Sequence, residues 1–126
     1  MVTIENLDEA EKKVETDTII NDVTNQPKQF QSVLYALFII SPQNKQFYTG
    51  EIYEVYKEIC KKTKFNVLTQ RRVSDILAEL DMLGIINAKI ISKGRYGRTR
   101  EIALSLDENM IVKLKEILEK SLQLAN

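Results

Sequence analysis

Apolar residues recur at helical spacing through the first 40 positions of the chain. Thr3 is a candidate cap for a first helix, whose apolar stripe continues as far as Val23. The segment Asn25-Gln26-Pro27 interrupts this pattern. Because proline is favoured in a first helical turn, a second helix is predicted from about Pro27 to Ile40. The predicted buried face of this second helix consists of Phe30, Val33, Leu34, Leu37 and Phe38.

Two more stretches with helical spacing follow in tandem. Thr49 is predicted to cap a helix over Gly50–Thr63. After a four-residue connector, the next helix begins near Leu68 or Thr69 and ends before Gly84, since glycine is favoured just past a helix end. Its predicted buried stripe consists of Val73, Ile76, Leu77, Leu80 and Leu83.

Beyond Gly84 the hydrophobic period changes from 3.6 to 2, which predicts strands. The alternating apolar positions are Ile86, Ala88 and Ile90 before the turn and Ile102, Leu104 and Leu106 after it. The turn between them, Lys93–Thr99, contains two glycines, so the segment is predicted to be a β-hairpin with a long basic tip. Gln46-Phe47-Tyr48 is a short extended piece, and Asp107 is predicted to cap a last helix.

The order of these elements predicts an α+β fold that is mainly α. Two tandem helices followed by a hairpin are typical of the winged helix-turn-helix class, here with extra N- and C-terminal helices. Residues 27–126 are assigned to the winged-helix domain, and residues 1–26 to an N-terminal helix and linker.

Charge is segregated along the chain, although its 18 basic and 18 acidic residues balance overall. Residues 1–24 contain seven acidic and two basic residues, whereas residues 61–100 contain ten basic and three acidic ones. An anionic partner would therefore meet a positive local field over the second of these segments.

The polar face of the fourth helix carries groups suited to reading DNA. The candidate residues at its N-terminal end are Thr69, Gln70, Arg71, Arg72 and Ser74. Arginine can bind guanine and glutamine can bind adenine through paired hydrogen bonds, and recognition helices use their N-terminal residues for such contacts. The alternative is an ordinary solvated face, in which Asp75 and Glu79 pair with the arginines.

The hairpin tip is the second candidate DNA-binding element. Its residues are Lys93, Gly94, Arg95, Tyr96, Gly97, Arg98, Thr99 and Arg100. Arginine is favoured in a narrow minor groove, and glycine allows the backbone to approach a surface closely. The alternative is a flexible basic loop. Two basic elements in the order that a winged helix requires favour DNA binding over either alternative.

Several other classes of function are disfavoured. The chain has no histidine, and its only cysteine, Cys60, lies in a helical pattern typical of a core residue, so an enzyme is not expected. No apolar run reaches the roughly 18–20 residues of a membrane span, and the N-terminus lacks a signal-peptide pattern, so a soluble intracellular protein is expected.

Four blocks closely resemble the C-terminal domain of archaeal replication initiators of the origin recognition complex subunit one/cell division control protein six family. The blocks are Tyr48–Tyr56, Leu68–Ile76, Leu80–Ile85 and Gly94–Thr99. The resemblance implies that the recognition helix enters the major groove of origin DNA and that the wing enters the minor groove. It also implies that residues 1–26 come from the end of an ATPase lid and the linker that follows it.

The resemblance further implies that this chain is part of a longer protein that is an ATPase. The family's phosphate-binding loop and magnesium-binding acids have no counterpart in this sequence, so ATP and magnesium are expected in the missing ATPase module and no cofactor in this chain. Origin DNA and the replicative helicase are the expected partners. A monomer located in the cytoplasm and associated with the nucleoid is expected. The alternative function is a winged-helix module that docks the helicase or an ATPase domain.

Overall fold

The computed structural model of the protein describes residues 17–41, 47–92 and 98–124. Residues 17–24 are helical and are labelled α1. The elements that follow are α2 (Lys28–Ile40), β1 (Phe47–Tyr48), α3 (Thr49–Thr63), α4 (Gln70–Met82), β2 (Ile86–Ser92), β3 (Arg98–Leu104) and α5 (Glu108–Ser121). This order confirms the predicted winged helix-turn-helix class. The predicted cap Thr3 lies outside the described residues, and the division at residue 26 stays a prediction.

Helix α2 lies at the centre of the fold and packs against α3, α4 and α5. Its predicted buried face is confirmed, but burial extends around most of the helix. The buried residues are Phe30, Gln31, Ser32, Val33, Leu34, Ala36, Leu37, Phe38 and Ile40. Pro27 is the N-cap rather than a first-turn residue. None of the helices in the described ranges is long and apolar enough to cross a membrane.

The buried Gln31 joins α2 to the ends of α1 and α5. Its Nε2 donates to the Val23 carbonyl at 3.0 Å, and its Oε1 accepts from the Ser121 hydroxyl at 2.7 Å. The Ser32 hydroxyl, also buried, donates to the Lys28 carbonyl at 2.9 Å. These bonds satisfy polar groups that would otherwise be costly to bury, so two polar residues are accommodated in the core.

The strands form an antiparallel sheet in the order β1-β3-β2. Phe47 and Ala88 both pair with Ile102, and Phe47 and Ile102 are fully buried beneath the helices. Sequence reasoning predicted the hairpin but not the pairing of β1 with β3. It also placed Ile90 with the apolar positions, whereas Ile90 is 65% exposed because the hairpin extends past the core at that level.

Capping residues mark the helix beginnings. The Asp107 carboxylate accepts from the Met110 N–H at 2.8 Å, as predicted, and the Thr69 hydroxyl accepts from the Arg72 N–H at 3.2 Å. The predicted cap Thr49 is instead the first residue of α3. The N-cap is the residue before it, Tyr48, which still belongs to β1.

Gly84 ends α4 as predicted, with a backbone conformation that favours glycine. Its φ is +80°, its N–H donates to the Asp81 carbonyl at 3.0 Å, and the Ile85 N–H donates to the Leu80 carbonyl at 3.1 Å. This is the Schellman pattern of bonds that closes a helix C-terminus. The fully buried Ile85 then leads directly into β2.

Gly84→Ala should lower the free energy of unfolding by about 1–2 kcal/mol, because an alanine is strained at this positive φ. A Cβ at this position meets nothing within 4 Å, so the loss should come from the backbone alone. Urea denaturation measures it. Gly50→Ala is the matched control, since Gly50 lies inside α3 with the same free space and should gain about 0.5–1 kcal/mol. Equal changes for the two variants would contradict this account.

Candidate nucleic-acid interface

The N-terminal end of α4 presents its predicted polar face at the surface. Gln70, Arg71 and Arg72 are exposed, and Ser74 is half-buried. The opposite stripe is anchored by Val73, Leu77 and Leu80, all of which are fully buried. Ile76 is half-buried, and Leu83 is 36% exposed because it lies at the end of the helix. The predicted stripe is therefore correct over the first three turns.

The two arginines of α4 are available to a partner. Among the described residues, ion pairs join Lys57 to Glu54 and Lys61 to Glu58, and none includes Arg71. Arg72 likewise forms no ion pair with a carboxylate in the described ranges. The alternative in which acidic residues of the same helix neutralise the arginines is thus not supported by this arrangement.

Hydrogen bonds from α2 and α3 hold the connector that precedes α4. Tyr56 is fully buried. Its hydroxyl accepts a hydrogen bond from the Leu68 N–H at 3.1 Å and donates one to Gln29 Oε1 at 2.5 Å. The Tyr53 hydroxyl donates to the Leu68 carbonyl at 2.8 Å. Gln29 Nε2 donates to the Asn66 carbonyl at 2.6 Å. Both backbone groups of Leu68 are therefore bonded one residue before the N-cap of α4.

Sequence reasoning did not identify Gln29, Tyr53 and Tyr56 as groups that position the site. Burial raises the pKa of the Tyr56 hydroxyl well above its usual range, so this group stays protonated and can donate to Gln29. The tyrosines are recognisable in the sequence only as residues at helical spacing. That spacing predicts a core position and carries no information about the backbone groups that the hydroxyls bind.

A hydrogen bond joins β3, in the described part of the wing, to α4. The Arg100 Nη1 donates to the Ser74 carbonyl at 2.9 Å. Arg71 lies three residues before Ser74, a rise of about 4.5 Å along a helix. Arg98 lies two residues before Arg100, about 7 Å along a strand. The base of the wing therefore lies near Arg71.

The remaining predicted site residues belong to the wing and to the start of α4. Lys93, Gly94, Arg95, Tyr96 and Gly97 lie outside the described residues. Arg98 and Thr99 begin β3, with Arg98 paired to Ser92, but their side chains are not among those described. Thr69 caps α4 through its hydroxyl. Across the described parts of the chain, acidic and cysteine side chains form no cluster that could hold a metal ion.

Comparison with protein families gives a match that covers most of the chain. Residues 21–114 match the family described as "CDC6, C terminal winged helix domain". Among curated proteins, the ORC1-type DNA replication protein 1 of Archaeoglobus fulgidus is 47% identical over 126 residues, which is 100% of this chain and 30% of that protein. The ORC1-type DNA replication protein of Thermococcus kodakarensis is 44% identical over 111 residues, which is 87% of this chain and 27% of that protein.

Solved structures show the same architecture. The Aeropyrum pernix ORC1 protein in complex with DNA superposes with a TM-score of 0.82 and 35% identity, covering 94% of this chain and 30% of that one. The Drosophila ORC bound to DNA has a TM-score of 0.66 at 13% identity, covering 89% of this chain and 28% of that one, and shows likeness of fold alone. The chain thus spans less than a third of the length of each of these relatives.

Tyr56→Phe should lower the free energy of unfolding by about 1–3 kcal/mol, because the Leu68 N–H and Gln29 Oε1 lose their buried partner. The Leu68 amide hydrogen should also exchange with solvent faster, and by more than the loss of global stability accounts for. Urea denaturation and amide hydrogen exchange by NMR measure the two effects.

Tyr35→Phe is the control for this change. The Tyr35 hydroxyl donates to Glu119 Oε1 at 3.1 Å, at the contact between α2 and α5 rather than at the connector. It should leave the exchange of the Leu68 amide unchanged after correction for global stability. If the corrected exchange rate of the Leu68 amide is the same in both variants, Tyr56 does not hold the connector.

Proposed function

The chain belongs to the family of Cdc6 C-terminal winged helix domains, and from this premise we propose that it binds double-stranded DNA at replication origins as part of a replication initiator. Helix α4 lies in the major groove and the wing lies in the adjacent minor groove. The residues proposed to form this face are Thr69, Gln70, Arg71, Arg72, Ser74, Lys93, Gly94, Arg95, Tyr96, Gly97, Arg98 and Thr99, with Arg100 at the base of the wing.

The contact between Arg100 and Ser74 is the observation that carries this proposal. A winged helix can use both elements on one duplex only if the wing and the recognition helix lie on the same side of the domain. The 2.9 Å hydrogen bond from Arg100 to the Ser74 carbonyl supports that arrangement. The exposed Arg71 and Arg72 have no carboxylate partner in the described residues and lie within one turn of this contact.

Phosphate contacts supply most of the affinity, and sequence preference comes from a few base contacts and from groove shape. Binding is therefore steeply sensitive to salt, because each neutralised phosphate releases condensed counterions. For a hydrophobic surface that docks a helicase or an ATPase domain, the logarithm of the affinity would not fall linearly with the logarithm of the salt concentration. The salt dependence of binding separates the proposed function from protein docking.

The oligomeric state, the location, the cofactors and the second partner are also proposed. We propose that the isolated domain is a monomer located in the cytoplasm and associated with the nucleoid. ATP and magnesium are proposed to bind the ATPase module of the full-length protein, and the domain itself is proposed to have no catalytic role. The replicative helicase is proposed as a second partner.

Arg71→Ala should weaken binding to an origin duplex by about 1–3 kcal/mol, the contribution of one bidentate base contact. The loss on a random duplex of the same length should be smaller, because a base contact distinguishes sequences. Fluorescence anisotropy titrations of both duplexes measure the difference. Lys113→Ala is the control, since Lys113 is an exposed cation on α5 and should leave both affinities unchanged. Equal affinities of Arg71→Ala and the parent protein would reject the role of α4.

Arg95→Ala and Arg98→Ala should each weaken binding to origin and random duplexes alike. If each loses one phosphate contact, the slope of log affinity against log salt should become shallower by about 0.9. Titrations at several salt concentrations measure the slope. Unchanged affinities would reject the role of the wing, and salt-independent binding by the parent protein would favour protein docking.

A further inference from the structure

Resting on the proposed DNA binding, we propose that Arg100 is a positioning residue that fixes the wing against the recognition helix and does not itself bind DNA. The acceptor is the backbone carbonyl of Ser74. The residue thus differs in role from the other basic residues of the wing, although composition alone would group them together.

The direction of the Arg100 side chain supports a role inside the domain. Side chains alternate between the two faces of a strand, so Arg100 shares a face with Ile102 and Leu104. Ile102 is fully buried, and this face covers the helical core. Arg100 therefore leaves β3 on the side of α4, and it is half-buried there. Its orientation is that of a residue that links the sheet to the helix.

The acceptor is well placed to hold a long side chain. Ser74 lies inside α4, where a helical carbonyl accepts an N–H from four residues later and keeps a second lone pair for another donor. Arg100 Nη1 is the second donor to the Ser74 carbonyl, at 2.9 Å. A hydrogen bond from an ionised donor is stronger than one between neutral groups, so a single bond can fix the relative position of two elements.

Hydrophobic packing is weak at this level of the hairpin. Ile90 is the cross-strand partner of Arg100 and is 65% exposed, whereas Ile86, further from the tip, is 2% exposed. A two-stranded ribbon without a packed face has little to fix its angle. The bond from Arg100 to Ser74 would limit that freedom before DNA arrives and so reduce the entropy lost on binding.

The test compares Arg100→Met with Arg100→Lys in the 126-residue chain. Methionine removes the donor, whereas lysine keeps a charged donor of similar reach. Arg100→Met should weaken duplex binding about ten-fold, because a wing that is not fixed in advance must be ordered when DNA binds, while Arg100→Lys should stay close to the parent protein.

Double-mutant cycles separate positioning from direct contact. If Arg100 positions the wing, Arg95→Ala should cost less affinity in the Arg100→Met background than alone, because the wing is already misplaced. Arg71→Ala should cost the same in both backgrounds. Additive losses for Arg95→Ala and Arg100→Met would instead identify an independent DNA contact and overturn the proposal.

A measurement on the free protein keeps this test distinct from that of the proposed function. Residual dipolar couplings of the β2 and β3 amides should report a changed wing orientation relative to α4 in Arg100→Met, and an unchanged orientation would overturn the positioning role. Failure of the parent protein to bind duplex DNA would overturn the proposed function alone. If Arg100→Met does not fold, Arg100→Gln replaces it, since glutamine is polar but too short to reach Ser74.

Discussion

The hydroxyl of Tyr56 is the point at which α2, α3 and the connector before α4 are joined. It donates to Gln29 and accepts the N–H of Leu68, while Tyr53 binds the carbonyl of the same residue. The connector has little regular structure of its own, so these bonds determine where α4 begins. The proposed DNA-binding face depends on that position, because α4 carries its arginines in the first turn.

The groups that hold α4 differ in kind from those proposed to bind DNA. Its N-terminus is held by neutral hydroxyl and amide groups, and its C-terminus by the backbone bonds around Gly84. Arg71 and Arg72 are charged, exposed and free of carboxylate partners in the described ranges. This separation follows from solvation, since a neutral polar group can be buried with one or two partners, whereas an arginine that must bind phosphate has to stay accessible.

Much of the architecture could be predicted because local patterns specify it. The helical period identified the stripe of α4, the period of two identified the hairpin, and a glycine just past an apolar stripe identified where α4 ends. The pairing of β1 with β3 could not be predicted in this way. Phe47 pairs with Ile102 across 55 positions of the chain, and a strand of two residues carries no pattern that specifies its register.

Arg100 shows a different limit of sequence reasoning. Its charge and its place near the hairpin tip predict an anion contact, and the same properties suit a bond to a helix carbonyl. Whether Arg100 contacts an anion or a helix carbonyl depends on which face of β3 carries its side chain and on how far α4 lies from that face. Packing sets both the face and the distance. The buried Ile102 places Arg100 on the helix side. Where a hairpin extends past a core, a basic residue on its inner face is therefore better interpreted first as a link to the adjacent helix.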